Sequence, residues 1–198
     1  YLKYYNMDLS RWFDIGTPKK IVNLEKKTRD TSDSPESEDS VKIINVYTDG
    51  STINNGQENP RGGVGVFFGN NDSRNASKKV VAKKITNNVC ELYACILAIE
   101  IILESEPKPF KNTRIQLYSD SNYTINSIVK WAPTWEKNDY KGIKNPLLIK
   151  RLYSYYQEFN IKMKHVPAHK SEPKRATEQH THWYGNKMAD HYAKLGSQ

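Results

Sequence analysis

The stretch VYTDGSTINNGQENPRGGVGVFF, residues 46–68, decides the fold, because it joins two strand-forming runs through a polar, Gly-rich turn. Asp49 interrupts the first run and Gly50 follows at once, although the residues before them favour a buried strand. In open α/β sheets the functional residues collect at the carboxyl ends of the strands. We therefore expect Asp49 to end a central strand at a site.

From residue 41 the sequence predicts strands first, and then strands that alternate with helices. Residues 41–49, VKIINVYTD, lack the polar alternation of a surface strand, so we expect a central strand covered on both faces. Two antiparallel strands follow, over residues 62–69 and 78–84. The remaining predicted elements are helices over 86–104, 121–131 (interrupted by Pro133), 146–158 and 185–195, and strands over 114–119 and 161–166. This order predicts an α/β fold with a mixed sheet and helices on its faces.

The chain divides near residue 40. Residues 28–40, TRDTSDSPESEDS, hold no aliphatic or aromatic side chain, so we predict a flexible linker. Residues 1–27 are too short to fold alone but hold aromatics, and we expect them to tether the chain or dock a protein partner. We therefore predict an N-terminal tail over 1–40 and one domain over 41–198.

The net charge favours a polyanionic partner. The chain carries +8 with a pI near 9.3, and the tail does not cause this, since residues 41–198 alone carry 23 basic and 14 acidic groups. We expect nucleic acid and no membrane, because no long apolar segment is present. Cys90 and Cys95 lie too far apart on one predicted helix to pair. We expect a monomer in a reducing, intracellular compartment.

Four acids recur at the positions where such a fold would place a site. Asp49 and Asp120 each end a predicted strand, and Asp190 lies in the last helix. Glu91 shares a helical stripe with small residues that would let the helix lie close to the sheet, namely Ala94, Cys95 and Ala98. Any one of these acids could be a cap or a solvated charge, but four together indicate a shared site.

Several motifs resemble the type 1 ribonuclease H family. They are YTDGS with Asn55-Gly56 after it, TNNVCELYACILAIE, LYSDSNYTIN and WYGNKMAD. They cover roughly residues 43–195 in order, and together they are highly specific. The resemblance implies the ribonuclease H fold, with a mixed five-stranded sheet. It also implies hydrolysis of the RNA strand of RNA/DNA hybrids, giving 5′-phosphate and 3′-hydroxyl ends.

The resemblance assigns a metal site to the four acids. By residue-to-residue match Asp49, Glu91, Asp120 and Asp190 become ligands of two Mg²⁺ ions, with Gly50 added to the set and Mn²⁺ expected to substitute. Elementary chemistry agrees, because Mg²⁺ takes hard oxygen ligands and crowded carboxylates need cations to stay ionised together. Asp49, at the sheet centre, is the natural bridge between the ions. We expect Gly50 to leave room for the substrate at the backbone.

The resemblance also divides the substrate contacts between the two strands. Three amides match positions that contact RNA hydroxyls: Asn55, Asn87 and Asn88. Positions that grip the DNA strand are matched by Lys84, Thr86 and Asn145 for a phosphate, and by Tyr123 and Trp131 for the channel. Core packing is the alternative for Trp131. Lys84 replaces an arginine common in the family, which keeps the charge but weakens bidentate contact.

One loop departs from the family pattern. HVPAH aligns His169 with a loop histidine thought to help product leave, but the segment from Lys170 to Tyr184 is longer than usual. His180 or His182 could reach inward instead. All five histidines lie between His165 and His191, so a zinc site is a further alternative, although no cysteine lies near.

These observations predict a magnesium-dependent endoribonuclease specific for RNA/DNA hybrids. One alternative is the ribonuclease H domain of a reverse transcriptase, with residues 1–40 as the end of a larger polypeptide. The other is a non-catalytic hybrid-binding module on the same fold. Four mutually repelling acids argue against a module without catalysis, because such a site has no need to keep them.

Overall fold

The structure is a computed structural model that describes residues 41–106, 112–168 and 170–198. The predicted tail over 1–40 lies outside these residues, so its linker and docking roles stay predictions. Within the described residues five strands form one sheet in the order β3-β2-β1-β4-β5. Their bounds are β1 Lys42–Ile53, β2 Arg61–Phe67, β3 Ala76–Val80, β4 Thr113–Ser119 and β5 Ile161–His165. The predicted mixed five-stranded sheet is confirmed.

The central strand β1 changes from parallel to antiparallel pairing along its length. It pairs in parallel with β4 as far as Thr48, and antiparallel with β2 from Tyr47 to Ile53. Asp49 therefore lies one residue past the parallel pairing but inside β1. This corrects the expectation that the strand ends at Asp49, because β2 goes on supplying hydrogen-bond partners where β4 stops.

Five α-helices pack around the sheet in the described residues. They are α1 Asn87–Ser105, α2 Asn122–Asn126, α3 Ala132–Lys137, α4 Pro146–Glu158 and α5 Glu178–Ser197, with a π-helical turn Ser127–Trp131 between α2 and α3. Pro133 does not interrupt the helical segment as expected, because it lies in the first turn of α3, where no N–H is needed. None of the described helices is long and apolar enough to cross a membrane.

The last helix begins well before its predicted start at residue 185. Thr177 caps α5 and accepts a hydrogen bond from the His180 N–H at 3.1 Å. Part of the segment predicted as an irregular loop is therefore helical, and His180 and His182 lie in the first turns of α5. The helix start was not predicted because this segment is polar, although threonine is a favoured N-cap residue.

α1 covers one face of the sheet and forms the centre of the core. The predicted small residues are fully buried there, and Cys95 Sγ lies 3.4 Å from Thr48 Oγ1 on β1. Cys90 and Cys95 are both buried and free, as expected from their spacing. The small side chains let α1 lie close to the central strand.

α5 covers only part of the opposite face. At Gly185 a Cβ would lie 2.6 Å from the Tyr47 ring, and the His182 ring centre is 4.4 Å from that of Tyr118. Nearer the start of β1, Ile43 is 48% exposed and Asn45 is exposed. α5 crosses toward β3 and so leaves this half uncovered by any described element. Among the described elements, therefore, only the second half of β1 has the expected cover on both faces.

Candidate active site

Three carboxylates meet where the parallel strands end. Asp49, Glu91 and Asp120 each place one carboxylate oxygen within 4.8 Å of the others. Asp49 and Glu91 are 6% and 4% exposed. Among the residues that the structure describes, no other group of three metal-ligating side chains lies so close together. The structure thus brings together three of the four acids that the sequence singled out.

Gly50 positions Glu91 by letting α1 approach β1. A Cβ at Gly50 would lie 2.3 Å from the Glu91 backbone nitrogen and 2.5 Å from the Cys90 carbonyl carbon. The space expected for substrate is therefore filled by the backbone of α1, which corrects that expectation. The role of Gly50 as a metal ligand stays a prediction.

Burial and mutual repulsion raise the pKa of two of the acids. Burial, and then the charges of Asp120 and Asp190, raises the pKa of Asp49 to about 8. Burial, followed by the Asp49 and Asp120 carboxylates, also raises the pKa of Glu91 well above its ordinary value. Negative charges that are crowded away from water in this way favour a bound cation or a proton.

The donor set fits a hard divalent cation. The cluster offers only carboxylate oxygens, which are the ligands that Mg²⁺ prefers. Glu91 Oε1 accepts from Asn87 Nδ2 at 3.4 Å, but Oε2 is buried and has no hydrogen-bond partner among the described atoms. A buried acceptor without a donor is costly, so Oε2 is suited to coordinate an ion.

The fourth acid, Asp190, lies at the edge of this cluster. Its Oδ2 accepts a hydrogen bond from Lys194 Nζ, one turn further along α5, at 2.7 Å. The two side chains are 32% and 59% exposed. Asp190 does not belong to the 4.8 Å group, yet after burial and Asp120 its charge contributes to the raised pKa of Asp49. Asp190 is therefore near enough for its charge to act on Asp49, but its carboxylate is paired to a lysine.

Asn186 is a site residue that the sequence reasoning missed. It is 7% exposed on α5, and its Nδ2 donates to Asp120 Oδ2 at 3.1 Å. Its Oδ1 is buried without a hydrogen-bond partner among the described atoms. The signal was available, since Asn186 stands four residues before Asp190 and so shares its helix face.

Two of the three amides expected to read RNA are linked to Glu91 by hydrogen bonds. Asn55 Oδ1 accepts from the Asn87 backbone N–H at 3.4 Å, and the Asn87 side chain donates to Glu91. Asn55, Asn87 and Asn88 are all exposed. The structure therefore joins two of these amides to the acid cluster, and their contact with RNA stays a prediction.

The residues expected to hold the DNA strand divide into a helix start and an aromatic row. Thr86 caps α1 by accepting from the Val89 N–H at 3.3 Å, and Lys84 is exposed just before it. Asn145 has a left-handed backbone, with φ 57°, at the start of α4. Tyr123 meets Trp131 edge to face, and Trp131 lies tilted against Trp135, with ring centres 6.4 and 5.5 Å apart. Because Trp131 is 39% exposed, it is not a core side chain, and its DNA contact stays a prediction.

The structure does not select one histidine of the long loop as the residue expected to help product leave. His169 lies outside the described residues, so its role stays a prediction. His180 Nε2 lies 3.2 Å from Glu172 Oε1, and His182 Nδ1 lies 2.9 Å from the Tyr47 hydroxyl. Both make these contacts away from the acid cluster. Within the described part of the chain no histidine enters a group of three metal-ligating side chains.

Known proteins resemble this chain over the domain that holds the site. The family model for RNase H matches residues 41–198. The ribonuclease H of Schizosaccharomyces pombe is 37% identical over 159 residues, which cover 77% of this chain and 52% of that protein. Ribonuclease H1 of Homo sapiens is 31% identical over 160 residues, covering 78% and 50%. This chain spans about half the length of these curated relatives.

A solved structure shares the fold. LC9-RNase H1, described as a type 1 RNase H with the type 2 active-site motif, matches with a TM-score of 0.59 over 81% of this chain and 74% of that chain. Its identity to this chain is 22%, so this likeness shows the fold alone. The family model covers the whole domain that bears the acids. The chain belongs to the RNase H family.

Proposed function

We propose that this protein hydrolyses the RNA strand of RNA/DNA hybrids internally, leaving 5′-phosphate and 3′-hydroxyl ends. The observation that carries the proposal is the group of three carboxylates within 4.8 Å, two of them buried, in a chain of the RNase H family. The relatives named ribonuclease H support the reaction class, since they match the domain that holds the acids.

The proposed cofactor is Mg²⁺, as two ions, with Mn²⁺ as a substitute. Asp49, Glu91 and Asp120 would hold the metal, with Asp190 completing the set. When bound, such ions polarise the phosphate and generate a nucleophilic hydroxide from water at neutral pH. The orphaned Glu91 Oε2 and the all-carboxylate donor set support this choice of metal.

The chain's own residues would bind and orient the hybrid around the cluster. Exposed Asn55, Asn87 and Asn88 offer amide groups for the 2′-hydroxyls that distinguish RNA from DNA. Asn186 holds one Asp120 oxygen and so limits the directions in which that carboxylate can turn. The free N–H groups at the start of α1, with Lys84 beside them, suit a phosphate of the DNA strand.

One experiment tests the proposal against a module without catalysis. The full chain is incubated with a hybrid labelled on either strand, with and without Mg²⁺, beside duplex DNA and duplex RNA. We expect cleavage of the RNA strand of the hybrid alone, and only with metal. Tight hybrid binding without cleavage at any Mg²⁺ concentration would instead establish a binding module. The reverse-transcriptase context stays a prediction.

A further inference from the structure

The uncovered half of the sheet carries cations that the proposed active site does not use. Side chains alternate along strands, so residues joined by the strand register share one face. The face opposite α1 is made by Ile43, Asn45 and Tyr47 on β1, Arg114, Gln116 and Tyr118 on β4, and Lys162 and Lys164 on β5. We call Arg114, Lys162 and Lys164 the open-face cations.

These cations are available for a partner. Lys162 and Lys164 are exposed and Arg114 is half-buried. Arg114 Nε is buried and has no hydrogen-bond partner among the described atoms. No salt bridge within the described residues uses any of the three, although Lys164 Nζ lies 3.4 Å from the Tyr118 hydroxyl and 5.3 Å from the centre of its ring. Three cations on one sheet face therefore lack a described counter-charge.

A cavity of about 390 Å³ adjoins this face at the end nearest the carboxylates. It is lined by Tyr118, Lys164, Val166, Pro167, Lys170 and Trp183, among others. Trp183 Nε1 donates to the Lys170 carbonyl oxygen at 2.8 Å, which holds the wall in place. Aromatic and proline rings next to two lysines suit a flat base with its phosphate.

The face is continuous with the proposed active site. Asp120 directly follows β4, and Tyr118, Gln116 and Arg114 precede it at alternate positions. At a rise of about 3.3 Å per residue, Arg114 lies about 20 Å from Asp120. One strand leaving the acid cluster could therefore meet the cavity first and the cations beyond it.

We propose that the open-face cations bind single-stranded nucleic acid that continues from the hybrid, with one base in the cavity. This inference rests on the proposed function. The positive charge of the face identifies the occupant as a polyanion, because phosphates supply the counter-charges that these cations lack. The cavity identifies this occupant as single-stranded, because a base can enter the cavity only when it is not stacked and paired in a duplex.

The test compares substrates with and without single-stranded extensions. A blunt hybrid and four hybrids, each with an extension on one of the four strand ends, are bound to the full chain in EDTA at several salt concentrations. The variant is Lys162→Glu/Lys164→Glu. The control is Lys78→Glu/Lys79→Glu, which makes the same charge change at exposed positions of β3.

We expect at least one extension to strengthen binding to the unaltered chain and to the β3 control. The open-face variant should lose this advantage, and its slope of log affinity against log salt should fall by about 1.4 for two lost single-strand phosphate contacts. Blunt-hybrid cleavage in Mg²⁺ should stay close to that of the unaltered chain. That measurement separates failure of this inference from failure of the proposed function.

Two results would overturn the inference. One is that no extension strengthens binding. The other is an advantage that survives the open-face substitution, which would show that the extension binds elsewhere on the chain.

Discussion

Asp49 and Asp190 are acids of one site in opposite surroundings. Asp49 is 6% exposed and lies among other carboxylates, and burial and repulsion raise its pKa to about 8. Asp190 is 32% exposed, and Lys194 supplies its counter-charge at 2.7 Å. Among the described residues no cation forms a salt bridge with the buried cluster, whereas the fourth acid already has such a partner in Lys194.

This difference assigns the two parts of the site different tasks. A buried carboxylate group without counter-charge stores repulsion that a divalent ion would relieve, so it should dominate metal affinity. A half-exposed acid in a surface ion pair contributes little by itself, since such pairs are worth at most about 1 kcal/mol. The metal affinity of the site should therefore change strongly with substitutions in the cluster and weakly with substitutions around Asp190.

Asp49→Asn should have the largest effect. Without this carboxylate the cluster loses its central ligand, and hydrolysis of the hybrid should fall at least about a thousandfold. Hybrid affinity should survive, because it depends mainly on phosphate contacts elsewhere. Single-turnover cleavage and filter binding measure the two quantities.

Glu58→Gln is the matched control, since it removes one carboxylate at an exposed loop position. Its rate should equal that of the unaltered chain. A near-normal rate for Asp49→Asn would show that the cluster does not hold the catalytic metal.

Asn186→Ala should have a smaller effect on the same cluster. It removes the amide that orients Asp120, and loss of such supporting hydrogen bonds costs about 10- to 100-fold in metal affinity or activity. Calorimetric titration with Mg²⁺, alongside the cleavage rate, separates orientation from folding. Unchanged Mg²⁺ affinity with a lowered melting temperature would reduce Asn186 to a packing residue.

Stability without metal should depend on pH through Asp49. Its pKa is near 3.8 when unfolded and about 8 when folded, so between these values only the folded state holds the proton. Stability in EDTA should therefore fall as pH rises from about 4 to about 8. Added Mg²⁺ should restore more stability at high pH, where binding displaces fewer protons.

Melting temperatures of the unaltered chain and Asp49→Asn, with EDTA or Mg²⁺, check this expectation. The asparagine variant should show a flatter dependence on pH. Equal slopes for the two proteins would show that Asp49 does not carry the stored repulsion.

The sheet was predictable from the sequence because its signals are local. Strand-forming runs and the Thr86 cap indicated the element order, and α4 has its predicted bounds of 146–158. The start of α5 was missed because its first turns are polar and lack an apolar stripe. The exposure of one face in the first half of β1 could not be predicted either. It depends on where α5 crosses the sheet, and no local sequence pattern indicates that position.

The acid cluster was predictable only in part for a similar reason. Asp49, Glu91 and Asp120 follow from strand and helix positions, and the structure brings them together. The close approach of Gly50 to α1 could be predicted only by placing the backbones of β1 and α1 together. The pairing of Lys194 with Asp190 follows i,i+4 spacing, but many such pairs occur without consequence.

Lys194→Met should have the smallest effect of these substitutions, and it should raise the affinity for Mg²⁺ where the others lower it. The lysine competes with metal for Asp190, so its removal should tighten Mg²⁺ binding, by up to about fivefold if the pair is worth about 1 kcal/mol. Lys187→Met on the same helix is the control, because Lys187 lies 4.8 Å over the Trp183 ring and is not paired with the acids. Calorimetric titration with Mg²⁺ at low and high salt measures the difference, which should shrink at high salt as the ion pair is screened. Weaker Mg²⁺ binding by Lys194→Met alone would mean that the lysine holds Asp190 in place for the metal, and the contrast between the two acids would then be one of position and not of competition.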